Sequence, residues 1–224
     1  MKHALIVGVG PGLSASFARA LAGAGYTVAL AARRTEKLAA LAAETGGSVH
    51  MCDAVDPAAV AALFARVPEP ELVLFNASHR VRGPFIELVP AEVAKTLQVS
   101  AYAAFLVAQQ AARRMVAAGR GTILLTGASA GVKGYPQSAP FAMGKFALRG
   151  LAQSMARELH PQGVHVIHVV VDGGIRAGAR PEPVDRPDSM LDPDAIARTM
   201  MDVVAQPRSC WTDEIAVRPW VERF

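Results

Sequence analysis

Cysteine is nearly missing: Cys52 and Cys210 are the only two in 224 residues. They supply neither the paired spacing of a metal site nor a disulfide framework, and they read as ordinary reduced thiols. Long apolar runs are missing too. None approaches the ~20 residues that cross a bilayer. The opening Met1-Lys2-His3-Ala4-Leu5-Ile6-Val7 enters a short strand-like run without the longer apolar core or cleavage site of a signal peptide, so a cytoplasmic protein with no membrane partner is expected. Charge is sparse at 19%, with a formal net of +4. The arginines are scattered singly or in pairs such as Arg33-Arg34 and Arg113-Arg114, with no basic stripe interleaved with aromatics, which argues against a nucleic-acid partner. What is plentiful is apolar: 52% of the chain, enough for one well-buried domain and too short for two. Disordered and fibrous classes are excluded by that composition.

Apolar, strand-like runs fall at residues 4–9, 27–32, 48–52, 72–76, 122–126 and 164–171. Their near-continuous Val/Ile/Leu content suits parallel strands covered on both faces. Ala-rich segments of helical period lie between and after them, at 13–24, 36–44, 57–66, 91–118, 138–159 and 194–205. Strand alternating with helix predicts βαβ units and a single α/β domain over 1–224, a three-layer doubly wound parallel sheet of the Rossmann type. A short strand at 214–218 is expected at an edge. The stretch 173–191, rich in Pro, Gly, Asp and Arg, follows the end of a strand, where such sheets place their ligands, and it reads as a short lid over a substrate.

Between the first strand and the first helix lies Val7-Gly8-Val9-Gly10-Pro11-Gly12-Leu13-Ser14. Glycines permit positive φ and close approach of the backbone to a pyrophosphate, and the helix that begins at Leu13 directs free N–H groups and its positive dipole end at that anion. The same glycines elsewhere would be a plain connector; after strand one and before a helix they form a dinucleotide signature. The second strand ends in Arg33-Arg34 where NAD-binding folds often carry a carboxylate for the ribose hydroxyl, and an arginine there accommodates a 2′-phosphate. NADP(H) is therefore the expected cofactor, against the alternative of a solvated arginine pair. Asp53, with Ala54 beside it, closes strand three and offers an acceptor to an adenine amino group; Asn76 closes strand four at the same edge. Both residues also suit turn caps.

These residues carry a resemblance to the short-chain dehydrogenase/reductase family that covers nearly the whole chain. The family's Thr-Gly-x-x-x-Gly-x-Gly is matched by Val7 to Ser14, with Ser14 in place of the third glycine. Its Asn-Asn-Ala-Gly resembles Phe75-Asn76-Ala77-Ser78, its Asp after strand three is Asp53, and its longest helix is similar to the stretch from Lys145 to Leu159. The resemblance implies pairing of subunits through 91–118 and 138–159 into a homodimer or homotetramer. Its Asn, Ser, Tyr, Lys tetrad is largely replaced. The Tyr-x-x-x-Lys motif becomes Phe141-Ala142-Met143-Gly144-Lys145, the serine position falls on Ala128 with Ser129 adjacent, the asparagine position falls on Ser100, and Pro-Gly after strand six is Asp172-Gly173. The chain is similar to an atypical subgroup with Phe for Tyr, also in Gln206 to Thr212 and Arg218 to Glu222.

Phe141 has no hydroxyl and cannot move a proton. Lys145, four residues on, shares its helix face and is expected at the nicotinamide ribose with Gly173 nearby. Ser129, Tyr135, Ser138, His79 and Lys145 itself stand as replacement proton donors, directly or through water. Asp172 is either a base or a turn cap. Two functions follow: an NADP(H)-dependent oxidoreductase acting on a small carbonyl or alcohol, enone or imine, or a catalytically silent dinucleotide-binding sensor or scaffold. Metal chemistry is not expected.

Overall fold

Among the described residues the apolar runs become seven strands, β1 (Lys2–Val7), β2 (Tyr26–Ala32), β3 (Ser48–Met51), β4 (Leu72–Phe75), β5 (Gly121–Thr126), β6 (Val164–Val171) and β7 (Glu214–Val217), of one sheet ordered β3-β2-β1-β4-β5-β6-β7. Every pairing is parallel. The computed structural model describes residues 2–178 and 180–222. Met1, Arg223, Phe224 and Ala179, the last within the expected lid, lie outside the described residues.

Among the described residues seven α-helices flank the sheet: α1 (Leu13–Gly23), α2 (Ala39–Thr45), α3 (Pro57–Arg66), α4 (Pro90–Leu97), α5 (Ala103–Ala118), α6 (Ala139–Leu159) and α7 (Pro193–Val204). Alternate residues of one strand face opposite sides. Leu5 joins Phe64, Val107 and Leu148 in a core beneath α3, α5 and α6. Ile6 joins Phe17, Leu41 and Met200 in a second core beneath α1, α2 and α7. This is the three-layer arrangement read from the sequence, and β4 and β6 are buried along their full length.

The structure corrects that reading in places. Strand 48–52 was expected to be covered on both faces, yet Val49 is 37% and Met51 74% exposed, because β3 closes one end of the sheet. The strand expected at 4–9 stops at Val7, where Gly8 turns the chain with φ +88°. The helix expected at 36–44 begins only at Ala39, after a turn in which the Leu38 N–H bonds the Thr35 carbonyl at 2.9 Å. The helix expected over 91–118 is interrupted by a π-turn, Gln98–Tyr102, with Ser100 buried at its centre. The chain after β6 folds back on itself: Ile175 pairs with Leu191 and Ala177 with Arg180.

Candidate active site

Parallel strands all end at one edge of the sheet, and the turns leaving β1, β2, β3 and β4 line a cleft of about 720 Å³ there. Gly8 opens it. A Cβ at this position would lie 2.4 Å from the Ala77 backbone nitrogen, and φ is +88°, so only glycine lets the turn pass β4 so closely. At Gly10 and Gly12 an added Cβ would meet nothing within 4 Å, which leaves the bare backbone beside the start of α1 open to an anion. Ser14, in place of the third glycine, is buried. Its hydroxyl donates to the Gly8 carbonyl at 3.2 Å and accepts from Asn76 Nδ2 at 2.6 Å. The turn is thereby tied to the end of β4.

At the other end of the cleft, Arg33 and Arg34 are exposed and line it together with Asp53 and Ala54. Asp53 Oδ1 accepts the Val55 N–H at 3.3 Å; this is the turn-cap role, and it leaves the second carboxylate oxygen without a hydrogen bond among the described residues. The cradle, the open backbone and the arginine pair fit a dinucleotide laid from α1 to β2. On the far side of Asn76 a smaller cavity of about 170 Å³ separates Gly10, Gly12 and Ser14 from Ile175, Arg176 and Ala177 of the loop after β6. Gly173, expected beside the cofactor, packs near Pro219, whose Cδ would be 2.8 Å from a Cβ there.

The positions matching the family tetrad converge on α6. Ser100 packs against Gly144, where a Cβ would approach the serine Cβ to 3.0 Å, and the turn Ser129–Gly131 crosses α6 so closely that a Cβ at Gly131 would sit 2.8 Å from the Lys145 carbonyl. Lys145 is not a surface helical lysine. It is 3% exposed, its Nζ donates to the Thr126 carbonyl at 2.6 Å, and it lies 5.8 Å from the centre of the Phe141 ring. Burial away from water lowers its pKa from 10.5 to about 8, since desolvation penalises the ammonium.

The other expected donors separate. His79 is engaged, its Nε2 2.7 Å from Glu92, and its backbone N–H reaches the Ser100 hydroxyl at 3.4 Å. Tyr135 is 37% exposed in a loop beneath the Lys133 ammonium. Ser138 is buried before α6 and makes no capping bond with its side chain. Asp172, read from sequence as either a base or a turn cap, is 6% exposed and ion-paired, 3.3 Å from Arg218 Nε. Ser129 keeps a hydroxyl that makes no hydrogen bond among the described residues. Three neighbours of these residues were not read from the sequence: the Thr126 carbonyl, Arg80, whose guanidinium lies 5.1 Å from the Phe141 ring centre, and His168, buried under Gly127 and held by Glu214 at 2.8 Å. Their signal is long-range contact.

Comparison with known proteins agrees with this geometry. Residues 2–182 match the family described as short chain dehydrogenase. The cyclic-di-GMP-binding biofilm dispersal mediator protein of Escherichia coli is 30% identical over 80% of this chain and 76% of its own. A short-chain dehydrogenase from Rhodopseudomonas palustris superposes with a TM-score of 0.85 at 33% identity, covering 98% of this chain and 99% of that one. A metagenomic short-chain oxidoreductase in complex with NADP superposes at 0.83 with 29% identity, covering 98% of each chain.

Proposed function

The chain belongs to the short-chain dehydrogenase/reductase family, and from that premise we propose that it is an NADP(H)-dependent oxidoreductase of a small organic carbonyl or alcohol, with Lys145 in the proton-moving role that tyrosine fills elsewhere in the family. The observation that carries this reading is a buried amine, its pKa brought down to about 8 by burial, 5.8 Å from the centre of the ring that stands at the tyrosine position. The bound nicotinamide supplies or accepts the hydride. This chain's residues do the rest.

Gly10, Gly12 and Leu13 would present backbone N–H groups and the start of α1 to the pyrophosphate, while Gly8, whose N–H goes to the Ala31 carbonyl at 3.0 Å, shapes the turn that Asn76 and Ser14 hold in place. Arg33, assisted by Arg34, neutralises the 2′-phosphate; both are exposed at the cleft wall with no ion pair among the described residues. Asp53 and Ala54 border the adenine. A general acid works best when its pKa lies near the working pH. Lys145 meets that condition, and its ammonium has three N–H donors, of which the Thr126 carbonyl uses one. The remaining donors serve the cofactor ribose and the oxygen that gains negative charge. Ser129, whose turn crosses α6 beside Lys145, and Tyr135 are the hydroxyls we assign to orienting that oxygen. The loop 173–191 acts as a lid, its Ile175, Arg176 and Ala177 facing the glycine turn.

Calorimetry with NADPH and NADH, followed by a panel of carbonyl, enone and imine substrates, tests the reading. NADPH is expected to bind tighter than NADH, and Arg33→Asp to reverse the order. Lys145→Ala is expected to lower turnover by about 10²–10⁴-fold, and Phe141→Tyr to raise it. Binding of neither nucleotide, or outright preference for NADH, overturns the proposal. The loss of Tyr, Ser and Asn from the tetrad, with the cradle kept, favours one second reading, a nucleotide-loaded sensor. NADPH binding with silence on every substrate would select it.

A further inference from the structure

We propose that Arg176, in the loop after β6, is a ligand of the cofactor pyrophosphate, and that Asp192 and Glu182 compete with that anion for its guanidinium. This rests on the reading of the cleft as a dinucleotide site. Arg176 lines the cavity of about 170 Å³ opposite Gly10, Gly12 and Leu13, and among the described residues it is the one charged residue on that cavity's wall. The facing wall suits an anion. Gly12 caps α1 without a side-chain bond, and the first turn of α1 holds no acidic residue, so its leading N–H groups and positive dipole end stand open. The turn itself, Val7 to Ser14, has no basic residue, and Arg33 and Arg34 line the larger cleft instead. A cation for the diphosphate must come from across the cavity.

The backbone at Arg176 is pinned. Ile175 pairs with Leu191, the Arg176 N–H donates to the Leu191 carbonyl at 2.9 Å, and the Leu191 N–H donates to the Gly174 carbonyl at 2.7 Å. Ile175 and Leu191 both pack on the core beneath α1, α2 and α7. The main chain of Arg176 is thus fixed at the cavity wall, while its side chain, 43% exposed, keeps its choice of rotamers. As it stands, Nη2 lies 2.8 Å from Asp192 Oδ2 and Nη1 lies 3.9 Å from Glu182 Oε2.

Each carboxylate has a second task that survives departure of the arginine. Asp192 Oδ1 accepts the Asp194 N–H at 2.9 Å and so caps α7. Glu182 Oε1 accepts the Met190 N–H at 2.9 Å. With Asp192 37% exposed, the pair is a solvated one, of a kind that contributes little to stability. A diphosphate held between the guanidinium and the start of α1 is the stronger partner, because it carries more charge and matches the planar fork of donors. Arg176 therefore changes partner when the cofactor enters, and the two carboxylates oppose that change. A ligand and a brace differ here in sign. Were Arg176 only tying the loop to α7, loss of either half of the pair would weaken the site alike. As a ligand, loss of the guanidinium weakens cofactor binding and loss of a carboxylate charge strengthens it.

Calorimetry with NADPH, NADH, ADP-ribose and adenosine 2′-monophosphate tests this without turnover, since ADP-ribose carries only the diphosphate and the last compound only the extra phosphate. Arg176→Gln is expected to weaken NADPH, NADH and ADP-ribose by a common factor of about tenfold, the scale of one charge-assisted contact, and to leave adenosine 2′-monophosphate unmoved. Arg33→Asp should show the converse, weakening adenosine 2′-monophosphate far more than ADP-ribose. Asp192→Asn keeps a capping side chain, and Glu182→Gln keeps an acceptor for Met190. Each should tighten ADP-ribose by about two- to fivefold, and most of that gain should vanish when Arg176→Gln is added. Equal weakening by Arg176→Gln and Asp192→Asn, unchanged ADP-ribose affinity in Arg176→Gln, or a loss that extends to adenosine 2′-monophosphate overturns the role of Arg176 while leaving the dinucleotide site standing. A parent protein that binds neither NADPH nor NADH defeats the dinucleotide reading itself, and this role with it.

Discussion

Lys145 is a buried amine, and the proposed chemistry rests on it. Unfolded, its amine keeps a proton up to about pH 10.5; folded, burial brings release down to about 8. Across that window the unfolded chain holds the more protons, so stability at this site rises with pH, and below about 8 the penalty is present in full. The difference corresponds to about 3 kcal/mol at neutral pH, partly offset by the Thr126 carbonyl and the Phe141 ring. Lys145→Met is therefore expected to be more stable than the parent by about 1–3 kcal/mol at pH 7, with the gap closing as pH approaches 10, while reduction is lost. Denaturant unfolding at several pH values checks this. A variant no more stable than the parent at pH 7 would mean that the ammonium is adequately solvated where it sits. In the parent, carbonyl reduction should fall as pH rises through about 8 if, as proposed, the protonated amine is the donor.

At the scale of elements, β7 is a short edge strand of four residues, and a single side chain fastens it. Glu214 accepts two bonds from Arg149 of α6, at 2.7 and 2.6 Å, and one from His168 of β6 at 2.8 Å. Arg149 and His168 hold the Glu214 carboxyl below its usual range, and burial lowers the His168 pKa. Both shifts have one sign in stability. The unfolded chain takes up protons first as pH falls, at His168 below about 6.5 and at Glu214 below about 4.5, so the fold loses stability on acidification through those ranges. Urea midpoints should drop from pH 7 to pH 5, and Glu214→Gln should cost about 1–3 kcal/mol at pH 7, because it replaces two charged acceptor oxygens by one neutral acceptor and an NH2 donor facing Arg149 and His168. An unchanged midpoint in that variant would show the clamp to be idle.

Distance along the chain decides what of this was legible in advance. The glycine turn, Arg33 after β2 and the Phe141/Lys145 pair are local patterns, set by strand-to-helix junctions and a four-residue helical spacing, and the sequence exposes them. The Ser14–Asn76 bond spans 62 positions and the His168–Glu214 bond 46. No periodicity signals such contacts. Nor does composition reveal that β3 lies at an edge, or that the helix carrying Ser100 opens into a π-turn, a feature frequent at functional sites.

Over the whole molecule, α6 has two kinds of surface. Gly144, Lys145 and Leu148 face inward, whereas Met143 and Phe146 are 48% and 45% exposed, and Tyr102 and Phe105 near α5 are 46% and 40% exposed, the latter two rings stacked at 6.4 Å. Large apolar side chains left at the surface of the two long helices are what a second copy of this chain would cover, and the family likeness implies pairing through these same helices. We expect a homodimer or homotetramer burying on the order of 800 Å² per subunit at each contact. Light scattering after gel filtration should report it, and the double substitution Phe105→Glu with Phe146→Glu should yield monomers, because each carboxylate would lose its water on association. Pairing across α6 would also brace the helix that positions Phe141 and Lys145. A monomeric double variant is thus expected to bind NADPH normally at the distant glycine turn yet reduce substrate more slowly. A parent protein that is monomeric at micromolar concentration would leave these aromatics without a partner copy and overturn the assembly.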